Sequence, residues 1–407
     1  MDENNNGQAP AYDFGSLRRF PDIEAGNLFA HDATDELILR EAAPHLSKDD
    51  GGHVAVVGDR YGALTLAAAT VHGLSGLRVH QDALSGELAL AANAARAGLS
   101  HAYTSAALDA ALFTDVAVVL WQLPRSLEEV TEVAQLISAH ARPDVVVIAG
   151  GRVKHMTLAM NTVLAQSFRS VVPGRAWRKS RPLVVSRPLV GEPGEGDPSS
   201  NFPRREFHED LGLWLCAHGA TFGGTKVDAG TRFLLEYMDR MRPDAATAID
   251  LGCGNGTIAA ALAKARPALH VTATDQSAAA VAATAGTARA NGLEGRIEVV
   301  RDDALAGFPP GAAELIVLNP PFHVGAAVHA GIAHKLFAAA ARVLKPGGEL
   351  WCVYNRHLDY RGSLARLVGP TEVVARNPKF TVSVSTRAPH PVPVESRGAH
   401  TPGAAAG

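Results

Sequence analysis

Asn319-Pro320-Pro321-Phe322 closes the apolar run Ile316-Val317-Leu318. Such a run reads as a buried parallel strand, and the two prolines stop it because proline has no N–H for the ladder. A polar amide is thereby left at the carboxyl end of a strand, where open α/β sheets bind ligands. The loop suits a planar amine. The lone pair of an exocyclic amine on a base is delocalised into the ring, so the amine is a poor nucleophile. Two acceptors facing its N–H groups can pull it toward tetrahedral geometry and aim the lone pair. Asn319 supplies one through its side-chain oxygen, and Pro320 another through a carbonyl held by a locked φ. Phe322 offers a flat face for a flipped base. No strong base is needed, because the amine can lose its proton after it has reacted.

A second constellation precedes this one. Ile249-Asp250-Leu251-Gly252-Cys253-Gly254-Asn255-Gly256 reads as a strand, an acid and three alternate glycines, and such a loop lets a ligand lie against backbone. The spacing is not GxGxxG, and a pyrophosphate loop would avoid a carboxylate at its entrance. Asp250 suits a cationic ligand without phosphate, and the sulfonium and amino group of S-adenosylmethionine have the matching sign. Asp275, ending the next strand, is placed to accept two ribose hydroxyls. Asp302 or Asp303, after the third strand, could accept from an adenine amino group, and Asp303 is preferred. Each acid alone could equally be a helix cap or a solvated turn residue.

The elements that must hold these residues come twice. In the second half, strands are expected at Thr247–Asp250, His270–Thr274, Arg296–Val300, Leu315–Leu318 and Glu349–Tyr354, with helices at Thr257–Lys264, Ala278–Asn291 and Gly331–Leu344. In the first half, strands are expected at His53–Val57, Leu77–His80, Asp115–Leu120 and Val145–Ala149, and a helix over Ala33–Ala43 capped by Asp35 or Thr34. Strands alternating with helices imply a parallel sheet covered on both faces. Gly58-Asp-Arg-Tyr-Gly62 answers Gly252–Gly256, Asn93–Leu99 answers Ala288–Leu293, Val119–Pro124 answers Val317–Phe322, and Arg142-Pro143 answers Lys345-Pro346. Matched order at an offset of roughly two hundred residues implies two copies of one fold. The expected division is an N-terminal arm at 1–30, a first copy at 31–190, a Pro/Gly/Ser-rich linker at 191–206, a second copy at 207–387 and a disordered tail at 388–407.

Composition narrows the class. Of 407 residues, 47% are hydrophobic and 19% charged, a globular composition without an apolar window long enough for a membrane-spanning helix. The polar, acidic start MDENNNGQAPAYDFG is not a signal peptide. Cys216, Cys253 and Cys352 are far apart and odd in number, which fits a reducing cytoplasm and no disulfide framework. The histidines are scattered without metal-ligand spacing, so no metal is expected. Net charge is −3, which excludes a chain that is basic throughout. Yet no Asp or Glu occurs from Val145 to Gly191, a stretch that includes Arg175-Ala-Trp177-Arg178-Lys179-Ser-Arg181. Such a patch is either an electrostatic footprint for phosphates, with Trp177 available for stacking, or a solvated face balanced by acids elsewhere.

The glycine loop, Asp250, Asp275, Asp303 and Asn319–Phe322 together resemble the class I S-adenosylmethionine-dependent methyltransferases of the Asn-Pro-Pro-aromatic type, over about 207–387. Asn319-Pro-Pro-Phe-His323 resembles the bacterial ribosomal RNA guanine-N2 methyltransferases, which carry a degenerate N-terminal copy of the catalytic fold. Asn355-Arg-His-Leu-Asp-Tyr360, Asn377-Pro-Lys-Phe380 and Leu17-Arg-Arg-Phe-Pro21 look more like the large-subunit (23S) enzyme than its small-subunit (16S) relative. Lys226-Val-Asp-Ala-Gly230 is similar to the family's lead-in segment, with Val227 in place of the usual leucine. The resemblance implies two tandem Rossmann-like α/β methyltransferase domains with the first degenerate, S-adenosylmethionine as cofactor, ribosomal RNA as partner and a cytoplasmic, monomeric enzyme. It assigns the catalytic amide to Asn319 and the cofactor loop to Gly252, Gly254 and Gly256. Arg356 and His357 become candidates for RNA contact beside the basic stretch. The first copy, with bulky residues between Gly58 and Gly62 and Trp121-Gln-Leu-Pro124 in place of Asn-Pro-Pro, is expected to bind neither cofactor nor reacting base, and to hold RNA. Rivals are a 16S guanine-N2, adenine-N6 or protein glutamine methyltransferase, a non-catalytic RNA-binding assembly factor and, less well matched in glycine spacing, a nicotinamide dehydrogenase.

Overall fold

The computed structural model describes residues 12–189, 201–321 and 326–388. Phe322 and His323, most of the expected linker and the expected tail beyond 388 lie outside the described residues. The first half contains β1 (Val54–Val57), β2 (Leu77–His80), β3 (Tyr103–Ser105), β4 (Val118–Gln122), β5 (Val146–Arg152), β6 (Phe168–Pro173) and β7 (Ser180–Pro188). Its helices are α1 (Ala33–Ala42), α2 (Ala63–His72), α3 (Leu84–Ala97), α4 (Ala110–Phe113), α5 (Leu127–His140) and α6 (Leu158–Leu164). The sheet order is β3-β2-β1-β4-β5-β7-β6. The first five strands are parallel, and β7 and β6 add an antiparallel edge that a reading of strand–helix alternation does not foresee.

A hairpin of β8 (Arg204–His208) and β9 (Leu213–Ala217) leads into the second half. There follow α7 (Ala229–Leu235), β10 (Thr247–Leu251), α8 (Thr257–Ala265), β11 (His270–Asp275), α9 (Ala278–Ala290), β12 (Ile297–Arg301), β13 (Ala313–Leu318), α10 (Ala326–Val343), β14 (Leu344–Asn355), α11 (Arg361–Leu367), β15 (Thr371–Arg376) and β16 (Phe380–Thr386). The order β12-β11-β10-β13-β14-β16-β15 repeats that of the first sheet strand for strand. Pairing of β13 with β14 jumps from Leu344 to Glu349, so Lys345-Pro-Gly-Gly348 is looped out, and continuous pairing starts at Glu349, where the strand is expected.

Both sheets are covered on both faces, which is why their central strands are apolar without alternation. Val54, Val56, Leu120 and Ile148 enter one core, and Ala55, Val57, Val119 and Val147 the opposite one. In the second sheet, Ile249, Leu251, Ile316 and Leu318 face one side and Ala248, Leu315 and Val317 the other. With β13 clamped on both faces, Asn319 sits on a rigid support. Helix α1 is capped by Asp32, not by Asp35 or Thr34. The Asp32 carboxylate accepts the Thr34 N–H at 2.6 Å, and Asp35 reciprocates on the Asp32 N–H at 2.8 Å.

Residues 12–30, expected as an arm, are docked on the first sheet's glycine loop. Arg18 exchanges backbone hydrogen bonds with the Asn93 side chain, the Arg19 guanidinium lies 4.6 Å from the Tyr61 ring centre, and the Tyr61 hydroxyl donates to Asp22 at 2.7 Å. The two halves also meet directly. Buried Glu132 on α5 accepts from His218 Nδ1 and from the Gly219 N–H, both at 2.6 Å. Glu132→Ala strands that N–H and is expected to cost about 2–3 kcal/mol, read as a lower urea midpoint, with Glu132→Gln losing less. Among the described residues no helix is long and apolar enough to cross a membrane.

Candidate active site

Asn319 follows β13 and is half-buried, ahead of buried Pro320 and exposed Pro321. Its Nδ2 donates to Asp228 Oδ2 and to Thr231 Oγ1, both at 2.9 Å. Asp228 is the N-cap of α7, and the same Oδ2 accepts the N–H groups of Gly230 (2.8 Å) and Thr231 (3.0 Å). Both amide protons are thus spent on fixed oxygens, which sets the amide's orientation. Asn319 Oδ1 is shielded from solvent and has no hydrogen-bond partner. A buried acceptor left unpaired is costly unless something is meant to fill it. Asp228 and Thr231 escape a reading of motifs. The only sequence signal is the Asp at the start of a helix, inside the lead-in segment already noted.

A second set of bonds joins this clamp to the glycine loop. Asn255 Nδ2 donates to the carbonyls of Gly224 (3.0 Å) and Lys226 (3.1 Å), and its Oδ1 accepts from the Thr257 hydroxyl at 2.6 Å. The segment carrying Asp228 is therefore tied to the turn after β10. Gly252, Gly254 and Gly256 all have positive φ, +77°, +55° and +76°. A Cβ on Gly252 or Gly254 would meet nothing within 4 Å, whereas one on Gly256 would lie 2.9 Å from Thr284 Cγ2. The first two glycines leave open space in front of the loop, and the third lets α8 and α9 approach.

The predicted acids take separate places. Asp250 is fully buried; Oδ2 accepts the Ala259 N–H at 2.9 Å, and Oδ1 has no partner. Burial pushes its carboxyl up to about 7. Asp275 ends β11 beside the loop, with Oδ2 on the Gly254 N–H (3.1 Å) and Oδ1 on the Ser277 N–H (3.0 Å). Its carboxyl is also raised, chiefly by burial. Asp303 pairs with Lys335 Nζ at 2.6 Å, while Asp302 accepts from the Ala306 and Gly307 N–H groups. Arg356 and His357 are exposed just past β14, and the Arg356 N–H donates to the Lys379 carbonyl.

The first sheet shows what the same frame looks like without an open loop. Gly58 donates to the His80 carbonyl as Gly252 does to that of Thr274. From that anchor, Arg60 stands where Gly254 does and Gln81 where Asp275 does. Asp59 accepts the Thr65 N–H as Asp250 accepts that of Ala259. Val57 pairs with Trp121, and Leu251 with Leu318. The residue matching Asn319 is therefore Gln122, one place beyond the Trp121 given by sequence comparison, and its amide is bonded to Asp35.

The basic stretch forms the β6–β7 hairpin. Trp177 and Ser180 exchange backbone bonds around Arg178 and Lys179, which both have positive φ. Trp177 has the Arg178 guanidinium 4.5 Å and the Arg40 guanidinium 5.1 Å from its ring centre. Arg178 lies 3.6 Å from Glu36 and Arg152 3.8 Å from Asp32. Arg175, Lys179 and Arg181 are exposed and have no ion pair among the described residues.

Each sheet, with five parallel strands, a terminal antiparallel hairpin and a turn after its first strand, is that of a Rossmann-like methyltransferase domain. Residues 212–384 match the family model "Methyltransferase small domain", and residues 8–189 match "RLMG N-terminal domain". A solved structure, the Thermus thermophilus 16S rRNA N2 G1207 methyltransferase in complex with AdoMet and guanosine, superposes with a TM-score of 0.68 at 19% identity. It covers 88% of this chain and 92% of that one. The ribosomal RNA large subunit methyltransferase G of Streptomyces coelicolor is 34% identical over 90% of this chain and 96% of its own length. That of Pseudomonas paraeruginosa is 35% identical over the same shares, and that of Shewanella amazonensis 31% identical over 90% and 94%. The chain belongs to the ribosomal RNA large subunit methyltransferase G family.

Proposed function

We propose that this chain methylates the exocyclic N2 amine of a guanine in 23S ribosomal RNA, using S-adenosylmethionine. The observation that carries the reading is the Asn319 amide, held by both protons on Asp228 and Thr231 with its oxygen unpartnered. The cofactor fits what is there. Open space lies in front of Gly252 and Gly254, a carboxylate at Asp275 flanks it, and the orphaned oxygen of Asp250 lies behind the loop. Bound there, the cofactor would supply a methyl group on sulfonium sulfur, already activated for transfer. Asn319 Oδ1 and the Pro320 carbonyl accept the two N–H bonds of the guanine amine and aim its lone pair. On transfer a nitrogen–carbon bond would form as the sulfur–carbon bond broke, and the surplus proton would pass to water. Positioning is the main work.

In this reading the domain of residues 207–387 is catalytic, and that of residues 31–190 holds RNA through Arg175, Lys179 and Arg181, with Trp177, Arg178, Arg356 and His357 also in reach of RNA. Phe322 is the stacking face, Asp303 the adenine contact, and the enzyme works as a monomer in the cytoplasm. The test is transfer of labelled methyl to protein-free 23S and 16S RNA, followed by mapping of the labelled base. Label on guanine N2 of 23S RNA is expected. Label confined to 16S RNA, to another amine or to neither sinks the proposal.

A pH dependence follows from Asp250. Its folded carboxyl lies near 7, above its ordinary 3.8, so burial favours the neutral form. The stability it contributes is full below about 4 and is lost as pH rises through about 7. A bound cation favours the ionised form, so cofactor binding must release protons near neutrality. Affinity is expected to rise about threefold or more from pH 6 to 8. In Asp250→Asn the slope should shrink to a remainder due to Asp275. Calorimetry in buffers of different ionisation heat checks both.

A further inference from the structure

The first four N–H groups of a helix have no partner within it. In α9 the Ala280 N–H goes to Ser277 Oγ at 3.1 Å. Those of Ala278 and Ala279 go to the other domain, to the Asp82 carbonyl and to Asp82 Oδ1, both at 2.9 Å. The same Oδ1 accepts the Ser277 hydroxyl at 2.9 Å. The contact is reciprocal. Leu84, first in α3, donates its N–H to the Gln276 carbonyl at 2.9 Å, and Ser85 Oγ donates to Gln276 Oε1 at 2.9 Å. Ala83 and Ser277 form an antiparallel bridge. The turns after β2 and β11, equivalent in the two sheets, thus cap each other's helices.

Arg301, at the end of β12, rivets the seam. It donates to the carbonyls of Gln276 (3.3 Å), Gln81 (3.1 Å) and Asp82 (3.1 Å), and to Glu87 at 2.8 Å. All of this bears on Asp275. One of its oxygens is fixed by the Ser277 N–H, the residue that Asp82 grips, and the other faces the glycine loop.

We infer that Asp82 of the non-catalytic domain, with Arg301, is a positioning residue for the Asp275 carboxylate, so that the first domain sets cofactor affinity without touching the cofactor. This rests on the cofactor reading of the β10–β11 site. A carboxylate that must meet two ribose hydroxyls tolerates little displacement, and supporting shells of this kind govern affinity through the groups they orient. A role confined to folding would move the melting temperature and leave affinity in the folded fraction alone.

The test measures S-adenosylhomocysteine affinity of the full chain by calorimetry, together with kcat at saturating cofactor and the melting temperature. Asp82→Ala is expected to weaken binding about tenfold with kcat within about twofold. Asp82→Asn, which keeps the accepting oxygen, should return to within about twofold. Arg301→Lys, which cannot span all four acceptors, should lose about threefold and carries the test if Asp82→Ala does not fold. Unchanged affinity in folded Asp82→Ala or Arg301→Lys overturns the inference, provided Asp275→Ala in the same assay weakens binding. If Asp275→Ala is also unchanged, the cofactor reading itself fails.

Discussion

Asn319→Ala is expected to lower kcat by about 10²–10³ while cofactor affinity stays within about twofold. In the proposed reading the substitution removes one of the two acceptors that set the amine's geometry, leaving the Pro320 carbonyl alone to aim it. The cofactor loop keeps its own anchors on Thr274 and Asp275, and its Asn255 tie to the clamp segment runs through the Gly224 and Lys226 carbonyls and not through the Asn319 side chain, so binding there should not notice the change. Loss in kcat with unchanged cofactor binding is the signature of an interaction made mainly in the transition state. A rate within about twofold of wild type would remove Asn319 from the mechanism. The clamp makes a smaller, separable prediction. Thr231→Val should leave Asn319 one fixed partner and cost less than Asn319→Ala, because the amide then samples orientations that present nitrogen instead of oxygen.

The parts that could be read from the sequence are those whose signal is local. Two prolines after an apolar run mark where β13 stops, and three glycines at alternate positions mark the turn after β10. The duplication is legible too, because both copies spend proline and glycine in the same order. The clamp is not legible, since Asp228 and Thr231 stand 91 and 88 residues from the amide they hold. Gln122, not Trp121, matches Asn319 because the shared Val-Leu pair, at 119–120 and at 317–318, stands one residue out of the frame that strand pairing sets. The β6–β7 hairpin shows no regular alternation, whereas β16, Phe380-Thr-Val-Ser-Val-Ser-Thr386, alternates apolar and polar residues; its period marks a strand but not that the strand runs antiparallel to β14. The seam through Asp82 and Arg301 is a matter of tertiary docking, and no spacing encodes it.

Gly254→Val should abolish measurable cofactor binding, weakening it by at least about 100-fold, while the protein stays folded. The distinction between the glycines makes this a sharp test. At Gly256 an added Cβ collides with Thr284, so a larger residue there would damage packing between α8 and α9 and say nothing about ligands. At Gly254 an added Cβ meets no protein atom within 4 Å, and the cost to folding is confined to a positive φ of +55°. For a non-glycine residue that is about 1–2 kcal/mol. The side chain then occupies the space in front of the loop that a ligand lying against backbone must use. The first domain carries Arg60 at the equivalent position, with the backbone there out of the positive-φ region, and Tyr61 beside it is held by Arg19 and Asp22. Its sheet and core are intact with bulky residues in that turn, so the frame accommodates bulk where the ligand would not. Calorimetry with S-adenosylhomocysteine should accordingly find one site per wild-type chain and none in Gly254→Val, with affinity for 23S RNA fragments retained through the other domain. Binding at near wild-type strength in the variant would place the cofactor somewhere other than this loop.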